Sequence, residues 1–209
     1  MIAHHRIVHV RGPPSTGKTT IADLLQIYYK QRQQPVVFIL GWLDVTKTWD
    51  GHLVQKCQEA GYHFVDCDNL MSTDIVFLLD EGQTSYRDLD LWNLFIKKQS
   101  GGLDYLGPRM CIFASYGSQK RANDELTPVR LGSLQLISIT KRSTPETPDV
   151  CLYYSEEEFR DAVDRICSSP GTTYSLEPEA RSYLYSVTNG HPGAVDALVR
   201  YVYRVCIDL

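Results

Sequence analysis

The chain has 209 residues, of which 43% are hydrophobic and 22% charged, with a formal net charge of -4 at pH 7. This balance excludes a disordered chain, which would have too little apolar surface to bury, and gives no overall basic footprint for nucleic acid or an anionic membrane. No run approaches the roughly 18 apolar residues of a membrane span, and the start Met1-Ile2-Ala3-His4-His5-Arg6 lacks the apolar centre of a secretory signal.

The first apolar run, Ile7 to Val10, predicts a buried strand and leads into Gly12-Pro13-Pro14-Ser15-Thr16-Gly17-Lys18-Thr19. These eight residues form a complete G-x-x-x-x-G-K-[ST] phosphate-binding loop. Its glycines let backbone N–H groups wrap the phosphates, and the helix that follows directs its positive dipole end at them. Lys18 adds a point charge near the β and γ oxygens, and Thr19 supplies a hydroxyl for Mg²⁺. With Thr20 these residues are the expected nucleotide-binding set. Ile21, Leu24, Leu25 and Tyr28 then recur at i, i+3, i+4 and i+7, which predicts a helix docking that face on a sheet.

Val36 to Leu40 and Ile75 to Leu79 predict the next two buried strands. The second ends in Asp80-Glu81, the Walker B pattern, with Asp80 placed to hold the water shell of Mg²⁺ and Glu81 to polarise an attacking water. An adjacent base for water suits an ATPase better than a small-molecule kinase, which keeps water out. Leu89, Trp92, Phe95 and Ile96 predict a helix stopped by Ser100-Gly101-Gly102. Met110 to Ala114 predicts a fourth strand, and Ser115 at its end is the candidate γ-phosphate sensor. Tyr116 is second, and a plain turn is the alternative.

Leu134 to Ile139 predicts a fifth strand. Nearly continuous apolar strands separated by helices predict an α/β fold, the three-layer P-loop NTPase architecture with a parallel sheet of about five strands, additional-strand type. Residues 143 to 150 hold two prolines without periodicity. The expected division is therefore a core over 1–142, a linker over 143–154 and a small C-terminal helical lid over 155–209.

In that lid, Ser155-Glu156-Glu157-Glu158 is a capping box opening a helix with the face Phe159, Ala162, Val163 and Ile166. Ala180, Tyr183, Leu184 and Val187 predict a second helical face, and Val195, Leu198, Val199 and Val202 a third. Between the last two, Thr188-Asn189-Gly190-His191-Pro192-Gly193 closes one helix at Asn189-Gly190 and opens the next at Pro192. The six cysteines, Cys57, Cys67, Cys111, Cys151, Cys167 and Cys206, never fall in C-x-x-C spacing. They read as buried free thiols of a soluble protein in a reducing intracellular compartment.

Gly12 to Thr19, Asp80-Glu81, Ser115 and the Gly190-His191-Pro192 turn together resemble the STAND branch of AAA+-like ATPases. That resemblance implies that the Gly-x-Pro turn lies against the nucleotide, which adds His191 and Pro192 to the expected contacts. The run Asp80-Glu81-Gly82-Gln83-Thr84-Ser85-Tyr86, followed by Asp88, Leu91-Trp92-Asn93 and Lys97, is similar to the ATPase domain of Crinkler-type effector proteins of oomycetes and fungi. The likeness spans about Ile7 to Tyr203. It implies Mg²⁺-dependent ATP binding and hydrolysis, with Lys18 on the phosphates, Glu81 orienting water and Ser115 or Gln83 sensing the γ-phosphate. It also implies action in a host cell or nucleus after delivery, and it is the sole source of a nucleic-acid association. The translocation module and effector domain of that family are not visible, so the chain reads as a minimal member or an excised ATPase domain.

Arg109, Arg121, Arg130 and Arg142 are candidates for an arginine finger, a group that adds about 10³ to 10⁵ in rate. If a neighbouring subunit supplies it, hydrolysis depends on a homo-oligomer. Two other readings stay open. One is a nucleotide-gated interaction module, in which ATP or ADP occupancy controls an unidentified protein partner and hydrolysis is slight. The other is a small-molecule phosphotransferase, disfavoured by Glu81 and by the lack of an Arg-rich lid.

Overall fold

The computed structural model describes residues 5–43, 47–101, 107–115, 129, 131–140, 149–169 and 174–207. Its strands are β1 (Ile7–Arg11), β2 (Val36–Leu40), β3 (Val76–Asp80), β4 (Arg109–Ala114) and β5 (Leu136–Ile137). All pairings are parallel, in the order β2-β3-β4-β1-β5. With β4 lying between β1 and β3, and a phosphate loop following interior β1, this is the additional-strand P-loop NTPase architecture expected.

Register puts Ile7, Met110, Phe77 and Val37 side by side on one face, and Val8, Cys111, Leu78 and Phe38 on the other. The first face packs against α2 (Trp49–Glu59) through Leu53, Val54 and Cys57, and against Leu91, Trp92, Phe95 and Ile96. The second receives α1 (Lys18–Gln31), which packs along β2, β3 and β4. Strands covered on both sides explain why β3 is buried at all five positions.

Three sequence expectations shift. The sheet-facing side of α1 is marked by fully buried Ala22, while Leu24 and Tyr28 are 59% and 45% exposed. A helix lying close on a parallel sheet accepts a small residue at the contact, so the larger apolar residues turn outward. The strand expected over 134–139 shrinks to Leu136–Ile137, because it finds partners only at His9 and Val10 of β1. Leu91–Ile96 forms a π-helix rather than an α-helix, continuing into the single α-turn α3 (Lys97–Ser100).

By its contacts the chain falls into two compact units, one of Met1–Gly12 and Lys18–Val150, the other of Pro13–Gly17 and Cys151–Leu209. Residues 143–148 of the expected linker lie outside the described residues. The second unit holds α4 (Glu156–Cys167), α5 (Pro178–Thr188) and α6 (Pro192–Ile207). Their core is Phe159, Val163, Cys167, Leu176, Leu184, Val195 and Val199. On α5 the buried side is Leu184 and Thr188, and the expected Tyr183 and Val187 are exposed. The capping box forms as read: the Ser155 hydroxyl accepts from the Glu158 N–H at 3.3 Å, and the Glu158 carboxylate accepts from the Ser155 N–H at 2.7 Å.

Among the described residues no helix is long and apolar enough to cross a membrane. Cys57, Cys111 and Cys167 are free and buried, whereas Cys67 is exposed and Cys151 half-buried, so the expectation of uniformly buried thiols fails at those two.

Candidate nucleotide site

In the first unit the site begins where α1 leaves the phosphate loop. Lys18 is buried, and its ammonium donates to the Gly12 carbonyl at 2.9 Å. Burial pulls its pKa below the ordinary lysine value, while the Glu81 and Asp80 carboxylates pull it back up. The neighbouring Thr19 hydroxyl donates to Asp80 Oδ2 at 2.7 Å, so the two expected metal-site residues are in contact. Asp80 is 1% exposed at the carboxyl end of β3. Hydroxyl and carboxylate oxygens are the donor set that a hard cation such as Mg²⁺ accepts.

Asp80 Oδ1 accepts the Glu81 N–H at 3.0 Å, and Glu81 adopts a left-handed backbone at φ 51°, ψ 38°. Non-glycine residues in that region cluster where surrounding structure holds them, often at functional sites. Glycine at 82 is dictated by packing, since a Cβ there would collide with the Ile112 side chain and lie 3.1 Å from the Phe113 carbonyl. Gln83 then bridges the site: its Nε2 donates to the Glu81 carboxylate, and its Oε1 accepts the Ser115 N–H at 3.0 Å. Glu81 and Ser115 are thus linked through one amide.

The rest of that motif is a brace. The Thr84 hydroxyl donates to the Glu81 carbonyl at 2.8 Å and accepts the Trp42 N–H at 2.6 Å. Trp42 Nε1 donates to Asp88 Oδ2 at 2.8 Å, Leu91 N–H donates to Asp88 Oδ1 at 2.8 Å, and Trp92 Nε1 donates to the Ser85 carbonyl at 3.1 Å. Asp88 and Thr84 are structural partners that sequence reading named only by resemblance.

His9, inside the strand Ile7–Arg11, makes contacts that the sequence pattern does not predict. It is fully buried; Arg11 Nε donates to its Nδ1 at 3.3 Å, and the Tyr86 hydroxyl lies 3.3 Å from its Nε2. Burial, reinforced by the Arg11 charge, pushes its pKa down to about 3, so the ring is neutral. A single polar residue in a strand leaves no periodic signal by which to find such a contact.

The second unit contains the rest of the loop. Ser15 and Gly17 have φ of 60° and 80°, and the Thr16 hydroxyl, buried, donates to the Pro13 carbonyl at 2.9 Å. Pro14 and Ser15 are exposed and Pro13 half-buried, as Thr20 is exposed on the first turn of α1. In the same unit Gly193 donates its N–H to the Ser15 carbonyl at 3.0 Å. His191 accepts the Ala194 N–H on Nδ1 at 3.2 Å and stands edge-on to Tyr153, while Pro192 opens α6. Asn189, at φ 49°, closes α5, and Gly190 fits because any Cβ there would collide with the Tyr154 carbonyl.

Of the arginine-finger candidates, Arg109 is described. It stands at the amino end of β4, opposite the strand ends that carry Asp80 and Ser115, and pairs with Asp74 at 2.9 Å. Tyr116, Arg121, Arg130 and Arg142 lie outside the described residues.

No protein-family model matches the sequence, and no curated protein matches it. Solved structures similar to it include variants of RuvB from Thermotoga maritima. One is 16% identical over 93% of this chain and 53% of its own, with a TM-score of 0.46. A second is 18% identical over the same shares, with a TM-score of 0.41. PCH-2 of C. elegans is 16% identical over 97% of this chain and 61% of its own, with a TM-score of 0.33. The chain spans about half the length of the RuvB structures it matches.

Proposed function

We propose that the chain binds ATP with Mg²⁺ and hydrolyses it. The observation that carries this reading is the contact of Thr19 with Asp80, beside a Glu81 held by Gln83 to the end of β4. Backbone N–H groups of Pro13–Gly17 other than the prolines, with Lys18, bind the phosphates; Thr19 and Asp80 would hold Mg²⁺, which neutralises charge on the phosphate oxygens when bound. Glu81 orients and polarises the attacking water, and Ser115 with Gln83 senses the γ-phosphate. The Crinkler-like run from Asp80 to Tyr86 supports the same chemistry by resemblance, with an arginine from a second copy completing the site.

The test is Mg²⁺-dependent phosphate release from ATP by the purified chain over a range of protein concentrations, alongside Lys18→Ala and Glu81→Gln. Release that rises more than linearly with protein and is lost in both variants is expected. Activity surviving in Glu81→Gln would overturn the assignment of that residue.

A second reading is a nucleotide-gated switch, favoured by the bond between Gly193 and Ser15, which ties the His191-Pro192 turn to the phosphate loop within one unit. ATP binding without turnover in the wild-type chain would favour it.

A further inference from the structure

β2 is at the end of the sheet, with β3 on one side and no described strand on the other. Its ladder fixes which peptide groups are used. Val76 donates to the Pro35 carbonyl at 3.0 Å and Gly41 donates to the Asp80 carbonyl at 2.9 Å. In a parallel ladder this alternation turns the peptide groups of residues 35, 37, 39 and 41 toward β3 and those of Val36, Phe38 and Leu40 outward. The Tyr62 hydroxyl accepts the Val36 N–H at 3.2 Å. That leaves the Val36 carbonyl and both peptide groups of Phe38 and Leu40 along the open side.

Natural edges are usually blunted by a lysine, a proline or a bulge within the strand. Val36-Val37-Phe38-Ile39-Leu40 has none of these, and Leu40 is 68% exposed. A groove of about 550 Å³ follows the strand, with Lys30 of α1 on one flank and Lys56 and Glu59 of α2 on the other. Lys56 pairs with Glu59 at 2.7 Å, and no ion pair of Lys30 is found among the described residues. The rim is therefore net positive on a chain of net charge -4.

We propose that β2 accepts an extended, acidic segment of a partner protein as a sixth strand of the sheet. Only an extended backbone supplies donors and acceptors that match the outward row at Phe38 and Leu40, and the groove takes its alternate side chains. The five residues of β2 span about 17 Å at roughly 3.3 Å each, which sets the segment at about five residues. A carboxylate on that segment meets Lys30. A second copy is disfavoured, because edge-to-edge pairing would bring two Lys30 rims and two negatively charged chains together.

The probe is a fluorescein-labelled heptapeptide of alternating valine and glutamate, capped at both ends, titrated against the purified chain by anisotropy and by amide hydrogen exchange. Binding is expected, with exchange at Phe38 and Leu40 slowed about tenfold or more and exchange at Val37, which faces β3, unchanged. Leu40→Pro removes one outward N–H and no ladder bond, and should weaken binding about tenfold, whereas Leu40→Ala should cost less than about threefold. Lys30→Glu, which leaves the backbone intact, should weaken it about tenfold as well. The proposal falls if the peptide leaves Phe38 and Leu40 exchange unchanged, if Lys30→Glu binds as well as wild type, or if the edge self-associates in place of binding.

Discussion

Gly193 and Ser15 are in backbone contact: the Gly193 N–H reaches the Ser15 carbonyl at 3.0 Å, and a Cβ at 193 would lie 2.5 Å from the Ser15 Cβ and 2.8 Å from its carbonyl oxygen. Neither neighbour is the far end of a flexible side chain, so a methyl group there must displace the phosphate loop or the start of α6. Gly193→Ala is expected to weaken binding of a fluorescent ATP analogue about tenfold, near 1.4 kcal/mol. It should also lower stability by about 1–3 kcal/mol, the usual range for overpacking. Titration and thermal melting measure the two effects, and an unchanged affinity would show that the loop does not depend on this contact.

Removing the Asp80 charge separates metal binding from phosphate binding. In Asp80→Asn the amide keeps one oxygen acceptor, for Thr19 or for the Glu81 N–H but not for both, and the cation loses its anionic partner. The Mg²⁺ concentration for half-maximal phosphate release should rise about tenfold or more, while ATP affinity without Mg²⁺ changes little. A Mg²⁺ titration of initial rates decides this, and an unshifted midpoint would place the metal elsewhere.

The Gln83 side chain touches both Glu81 and Ser115. Gln83→Ala should lower kcat about tenfold with little change in KM, since it frees the carboxylate proposed to orient water and leaves the proposed phosphate contacts in place. Gln83→Glu should fall further, because a second carboxylate repels Glu81. Steady-state kinetics of both variants test the order.

The neutral His9 makes stability pH-dependent. Its folded pKa, about 3, lies below the unfolded value near 6.5, so the unfolded chain binds the extra proton between those limits. The contribution is full above about pH 6.5 and erodes as pH falls toward 3, by at most about 1.4 kcal/mol per pH unit. Thermal melting from pH 7 to pH 4 should show this decline, and His9→Gln should flatten it; equal slopes would assign the acid sensitivity to other groups.

The phosphate loop, Asp80-Glu81, four of five strands and the helix junction at Asn189 were legible because each is written locally, in spacing or in turn residues. Side-chain facing was less so. On α1 the apolar positions outnumber those the sheet can cover, and periodicity cannot tell that Ala22 is inside while Leu24 is out. On α5 Leu184 is inside as expected, but its buried neighbour is Thr188, while the expected Tyr183 and Val187 face out. The contacts of His9 and Gln83 join segments distant in sequence, which no local pattern records.

The π-helix at Leu91–Ile96 turns these contacts into a constraint on chain length. A π turn is an α-helix that has absorbed one residue. At its start, Trp92 is anchored to Ser85; beyond it, Gln99 is buried. Deleting a single residue at Asn93 or Leu94 would restore regular α-geometry, yet rotate everything beyond by about 100°. Phe95, Ile96 and Gln99 would then leave their places while Trp92 kept its own. At Asn93 and the exposed Leu94 a substitution should therefore be tolerated more readily than a deletion, so the number of residues between Trp92 and Phe95 constrains the motif around Glu81 as firmly as their buried neighbours do.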